Sequence, residues 1–467
     1  MPSITHPSQI ETAISRLPQT AYGTPRAAGD DYRRIISESV GVATEGLNFE
    51  DDAGYENGSD LAVDTWATTA ETSIDISPKL NFQDIGYQLH RALGGYAVSG
   101  PDGGLYTHVF TPQSMNTSRQ LPASTFLKKY GGLRLMMYPD MVSSNLTISS
   151  GKMGRISTAQ SFIGSGDREK DPASYVSPAI TDDREYAYAA QGSFRLSESG
   201  VGTRQVETAT VAGSITGDGT VIVTITAAGL TGSPLAIPVT VTNLDTASAV
   251  ASKIRTALKA NTVVNAMFEI TGPVAAAVTL TKRLKEADDA TLNIAIDNGT
   301  ATGLTPAPTS VDTTAGVAGT SQNYSCLLES WSISLNNPTV DDGYRICSPF
   351  VVAGDPMSGQ TRSEYFVGAR EYTMSFSARD DGNDNTEDWL RVGTILDVDI
   401  PIIGIEANDH SLRIQHTRAR VIQAQPITDA GGFIGIDGQI RLLAGAAGDG
   451  SIPLSFTLVN DVASYAS

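Results

Sequence analysis

Residues 72–112 read TSIDISPKLNFQDIGYQLHRALGGYAVSGPDGGLYTHVFTP. The first six alternate polar and apolar, the period-two pattern of a strand with one buried face. Asn81 then stands before a run in which Phe82, Ile85, Leu89 and Leu93 share one helical face. Asp84 takes the third helical position, where a carboxylate can bond back to the cap and meet the positive end of the helix dipole. Gly94 or Gly95 ends the helix. A second alternating strand, YTHVFTP, follows at 106–112.

The same order returns at 372–401. YTMSFSA (372–378) alternates, Asn385 precedes TEDWLRVG with Asp388 at its third position, Gly393 ends the helix, and ILDVDIP (395–401) follows. Working outward, the stretches 133–151 with 152–164, and 412–431 with 432–445, each read as a long hairpin. Upstream, IISESVGV from Ile35 matches LLESWSIS from Leu327. Each half is therefore expected to be strand, acidic loop, strand, helix, strand, hairpin. The acidic loops are FEDDAGYENGSD (49–60) and NNPTVDDGYRIC (336–347).

Between Val206 and Gly319 the composition changes. This stretch holds one aromatic residue, Phe268, of the 31 in the chain. Strands are expected at 220–229, 235–241, from 278 and from 291, with a helix after Asp245 that places Val250, Ile254 and Leu258 on one face. Thr/Gly-rich seams on either side read as linkers. The expected organisation is a first domain at 1–204, an inserted α/β module at 205–320, and a second domain at 321–467, to which a strand in 185–204 is a possible contributor. The fold class is mainly β: two tandem sandwich or barrel domains, each with a short flanking helix, plus the small α/β insertion.

Composition narrows the function. The chain has 467 residues and a net charge of −19. Nine acidic and six basic residues in the insertion give −3, leaving −16 for the body. That balance argues against DNA gripped through phosphates, which needs Lys/Arg stripes. No stretch approaches the roughly 20 apolar residues of a membrane helix. The start, MPSITHPSQIETAISRLP, lacks a basic cluster followed by an apolar core, so synthesis in the cytoplasm is expected. Two cysteines, Cys326 and Cys347, cannot build a disulfide framework.

Catalytic and metal motifs do not assemble. SSGKMG has Gly151-Lys152, but Met153 stands where a phosphate loop needs Ser or Thr. DGNDNTE (381–387) looks like the front of a calcium loop, but Gly at the sixth place and Glu at the twelfth are absent. The five histidines show no metal spacing, and the acids form no catalytic pair. No enzyme activity, cofactor or metal is expected. Trp66, Trp331 and Trp389 read as core.

The segments IETAISRLPQTAYGTP (10–25), SIDISPKLNFQDIGYQLHRALGG (73–95), YTHVFTP, SSNLTISSGKMGRISTAQSFIG (143–164), SISLNNP (332–338) and GAREYTMSFSARDDGNDN (368–385) carry a resemblance to the major tail tube proteins of long, flexible-tailed bacteriophages. The resemblance lies in order and texture rather than in one invariant motif. It implies rings, six-fold or trimeric when the domain is doubled, stacked into a virion tail tube. Its implied partners are further copies of itself, a tape measure protein and terminator or tip proteins, with no membrane contact. Double-stranded DNA would pass through an acidic bore without being held.

On that reading the strand residues Asp75, Asp397 and Asp399, which share the non-core parity of their strands, are the candidates for the bore. Glu50, Asp51, Asp52, Asp341 and Asp342 would meet Lys128, Lys129, Arg418 or Arg420 between rings. Two other classes compete: a carbohydrate- or cell-binding fibre protein, which would want exposed aromatic platforms, and a non-tube tail component such as a terminator or tip protein.

Overall fold

The alternating stretches are strands, and most of the chain is antiparallel sheet. The computed structural model describes the chain except residues 1–9, 37–42, 53–63, 103, 115, 117, 179–183, 190–192, 273–275, 325–326, 340–360, 363, 381, 383–384, 405–409, 429–433, 447–450 and 467, and except the side chains at 46–48, 50–52, 64, 66 and 67.

The first half comprises β1 (Ile10–Ser15), β2 (Tyr32–Ile35), β3 (Thr44–Asp52), β4 (Asp64–Ile76), α1 (Ile85–Leu93), β5 (Gly94–Asp102), β6 (Leu105–Pro112), β7 (Ser124–Tyr130), β8 (Arg134–Ser150), β9 (Ser157–Gly164) and β10 (Glu169–Lys170). After β11 (Arg195–Glu198), nine strands, β12 to β20, lie between Val206 and Thr314 with α2 (Ala247–Ala260) and α3 (Thr262–Met267). Then come β21 (Ser321–Asn323), β22 (Leu328–Asn336), β23 (Glu371–Arg379), α4 (Thr386–Val392), β24 (Leu396–Ile403), β25 (Ser411–Thr428), β26 (Ile434–Leu442) and β27 (Leu454–Asn460).

The two halves repeat one order of pairing. In the first, β3 pairs β4, β4 pairs β9, and β9 pairs the C-terminal part of β8. In the second, β22 pairs β23, β23 pairs β26, and β26 pairs the C-terminal part of β25. The second layers match too: β2–β1–β7–β8–β10 against β21–β11–β24–β25–β27. Both long strands carry a bulge at the same place, between Ser143 and Asn145 in β8 and between Val421 and Gln423 in β25. A bulge bends the strand, which lets one strand serve both layers of a sandwich.

Two sequence expectations change here. The counterpart of β24 is β7, not the 106–112 strand. The β5–β6 hairpin has no equivalent after α4, and it extends the second half's sheet through β6–β27 pairing. Strand β11, which lies within 185–204, pairs with β21 and β24 of the second half, the contribution that the sequence left open.

Asn81 does not cap the first helix: Asp84 stands at the N-cap rather than at the third helical position, and Asn81 instead closes the turn before it. Its Oδ1 accepts from the Asp84 backbone N–H at 2.7 Å, and its Nδ2 donates to Asp84 Oδ2 at 3.1 Å. The helix itself starts four residues later than Asn81. All nine of its residues are buried. Tyr465 folds back onto it so closely that a Cβ at Gly86 would overlap the tyrosine ring.

The inserted strands pair only among themselves. Helix α2 is capped by Thr246 rather than Asp245; the Thr246 Oγ1 accepts from Ala249 N at 3.3 Å, and Asp245 instead binds Lys253. Val250, Ile254 and Leu258 are buried in the module's own core with Phe268. That core is separate from the first half's, around Phe126, Met141 and Phe162, and from the large second-half core that takes in α1, Trp331 and Trp389.

Candidate functional site: the open sheet face and its edges

The two inner sheets join inside the chain. Residues 145–150 of β8 pair with β22 in an unbroken register from Trp331↔Ser150 to Asn336↔Asn145. The result is one continuous run, β3-β4-β9-β8-β22-β23-β26-β25. Asn337 Nδ2 donates to the Ala92 carbonyl oxygen and Lys152 Nζ lies 2.6 Å from Glu329 Oε1, both across the junction. The second half's loop also laps the first half: Tyr365 and Val367 pack with Leu121, Ala123 and Val142.

Period-two alternation gives this run two unlike faces. One buries Leu146, Ile148, Ile333, Leu335, Met374 and Phe376. The other presents Asn145, Thr147 and Ser149 from β8, Ser330, Ser332, Ser334 and Asn336 from β22, and Thr373, Ser375 and Ser377 from β23. Asp75 is exposed on this face, opposite Ser161. Its other charges include Glu371, paired with Arg441 at 2.8 Å, and Glu329, paired with Arg379 at 3.2 Å. The face is thus rich in short hydroxyl and amide side chains, with acids either exposed like Asp75 or matched to arginine.

Asp397 and Asp399 lie elsewhere. They point off the core side of β24 as their parity requires, but the inserted module covers that side. Asp397 Oδ2 meets Lys285 Nζ at 3.2 Å. Asp399 accepts from Arg413 Nε at 2.7 Å and from Arg204 Nη1 at 3.1 Å, and Arg195 Nη2 lies 3.4 Å away. Glu269 of the module closes the cluster onto Arg413. Burial alone would raise the Asp399 carboxyl, but Arg413, Arg195 and Arg204 outweigh it and hold it below the usual carboxylate range. A carboxylate so committed has no bore to face, and the expectation for Asp397 and Asp399 is corrected accordingly.

Lys128 is also displaced. It is 1% exposed in β7, and burial lowers its ammonium to about 8 against the opposing pull of Asp75. A buried lysine cannot reach a neighbouring ring. Lys129 is half-buried and donates to Ser177 Oγ at 3.1 Å. Arg418 is half-buried, and Arg420 is exposed beside Gly393 at the end of α4. Glu50, Asp51 and Asp52 fall on β3, where their side chains are outside the description. Asp341, Asp342, Cys326 and Cys347 lie outside the described residues. Trp331 and Trp389 are buried.

The run of eight strands has two ends. Among the described residues, the outer edge of β3 carries no strand, nor does the edge of β25 at 423–428. By the shared bulge, 423–428 corresponds to 145–150. The first-half segment alternates half-buried and fully buried, whereas Gln425, Pro426 and Thr428 are exposed. Near this edge Ile422 is 47% exposed and Val392 of α4 is 80% exposed. The fully buried α1 is the counterpart of α4, and among the described residues α4 lacks an equivalent cover.

No family model matches this chain, and no curated protein matches it.

Proposed function

We propose that this chain is a structural subunit that closes into a ring of three copies, each contributing two like-built sheets, and that the rings stack as the tail tube of a long-tailed bacteriophage. The observation that supports it is the β8–β22 junction. It is an edge-to-edge joint between the last inner strand of one half and the first of the other, and among the described residues their counterparts, β25 and β3, are left unjoined. A heterologous contact that repeats a fixed rotation closes when the rotation divides the circle. Closure also removes the exposed edges that would otherwise template aggregation.

Three chains would supply 24 inner strands. With strands about 4.8 Å apart and tilted about 40°, such a barrel measures about 45–50 Å between opposite backbones, room for a duplex. The hydroxyl-rich face would line it. Duplex DNA carries one negative charge per ~1.7 Å, and a wall of neutral hydroxyls, unpaired acids and arginines already neutralised by acids offers phosphates no strong hold. The acidic bore expected from composition becomes, on this reading, a hydroxyl bore with a modest acid excess.

The test is imaging of the purified full chain by electron microscopy, alone and after concentration. Hollow tubes whose cross-section shows six inner lobes and three outer ones support the proposal, because the insertion and the β5–β6 hairpin occur once per chain. Solid fibres or persistent monomers would sink it.

A further inference from the structure

A cavity of about 380 Å³ opens at the edge of the internal junction, between the 18–22 loop, the 113–123 segment and Tyr365 of the lapping loop. Its polar lining is neutral. Gln113, Ser118, Gln120, Tyr22, Tyr365 and His90 face it, and no Asp, Glu, Lys or Arg is among the described lining residues. That is notable in a chain with 83 charged side chains. Tyr365 is 2% exposed, and its hydroxyl finds no hydrogen-bond partner among the described residues. A buried, unsatisfied hydroxyl costs free energy unless something supplies its bond.

We propose that this cavity binds a neutral sugar, of mono- to disaccharide size. Ligand pockets begin at about 300 Å³ and combine apolar walls with a few placed polar groups. Here Leu121, Ala123 and Val142 form the apolar wall, while amides and hydroxyls offer both donors and acceptors, as a polyol requires. Tyrosine rings give the flat apolar surface that a sugar's C–H face packs on. No charged side chain among the described lining residues would pair directly with a charged ligand, and burial penalises an unpaired charge. His90 does not change this, since burial beside Arg91 holds its imidazole down to about 3, so it stays neutral. The site lies within one chain and does not depend on ring closure.

The test is saturation-transfer NMR on the full chain with glucose, N-acetylglucosamine and maltose, with glucose 6-phosphate as the charged control. At least one neutral sugar should saturate, and the charged control should bind at least tenfold more weakly. Tyr365→Phe should weaken binding about tenfold while leaving the unliganded melting temperature unchanged or raised, because it removes an unsatisfied group. Ala21→Trp, at an exposed position on the rim, should block binding in a folded protein. Failure of every neutral sugar to saturate by 10 mM, equal binding of the phosphate ester, or unchanged binding by Ala21→Trp would each overturn the proposal.

Discussion

Asn337 Nδ2 donates to the carbonyl oxygen of Ala92 at 2.9 Å, joining residues 245 positions apart. Asn337 Oδ1 in turn accepts from Tyr372 Oη at 3.0 Å. The last turn of α1 thereby finds a partner for one of the carbonyls that every helix end leaves open, and the partner comes from the other half of the chain. Replacing Asn337 with Ala orphans both groups, at about 1–3 kcal/mol each. Chemical denaturation should show that loss, whereas a change under about 0.5 kcal/mol would mean that water replaces the amide.

The junction register predicts the ring register. Thr147 opposes Ser334 in β8–β22. Through the common bulge and the matching ladders, their counterparts are Gln425 and Thr44. Thr44→Cys with Gln425→Cys, in a background where Cys326 and Cys347 are Ser, should oxidise to covalent trimers, since facing Cα atoms in antiparallel strands are about 4.5–5.5 Å apart. A ladder running past three on a non-reducing gel would indicate an open helix of chains, and uncrosslinked monomer would remove the edge pairing.

The inserted module is held to the body by charges. Arg413 binds both Asp399 and Glu269, and all three are largely buried. Breaking a buried pair by removing one partner typically costs about 3–5 kcal/mol, because the other charge is left behind. Arg413→Met should therefore split the calorimetric unfolding into two transitions, with the module's separate core melting on its own. A single transition at the wild-type midpoint would contradict this.

Asp140 gives a pH dependence. Burial raises its carboxyl to about 6, although the Gly23 amide and the Ser165 hydroxyl both donate to it. The unfolded value is roughly 3.9, so the fold prefers the protonated form. That contribution is complete below pH about 4 and is lost as pH rises through about 6. Two pKa units correspond to about 3 kcal/mol. Relative to Asp140→Asn, wild-type stability should fall by up to that amount between pH 4 and 7, followed by urea titration. A difference independent of pH would place the Asp140 titration at its unfolded value.

Asp75 tests the bore. It is exposed on the hydroxyl face, within electrostatic reach of the buried Lys128. Asp75→Lys should leave assembly unaffected but make assembled tubes retain double-stranded DNA, with retention falling steeply as salt rises. Retention equal to wild type at 50 mM salt would mean that this face does not meet the duplex.

Much of the architecture is local and was readable. Alternation in TSIDIS and YTMSFSA and the aromatic-poor insertion each depend on neighbours a few residues apart. The repeated order of those signals is the ground for expecting two like halves. The assignment of 106–112 failed because strands β6 and β7 both follow α1, both read as strands, and differ only in which sheet accepts them.

Parity along LDVDIP correctly turned Asp397 and Asp399 away from the core. What lies on the far side of β24 is a different matter: Lys285 and Glu269 reach it from the module, over 100 residues away in sequence. Lys128 reads as a surface charge in STFLKKY but is buried, because it shares the parity of Phe126 and Tyr130, which face the first half's core. Periodicity depends on the geometry of one strand, so the chain alone states which side chains share a face. Which partner covers that face, and which edges remain open, depends on contacts between distant segments, and only the folded chain decides them.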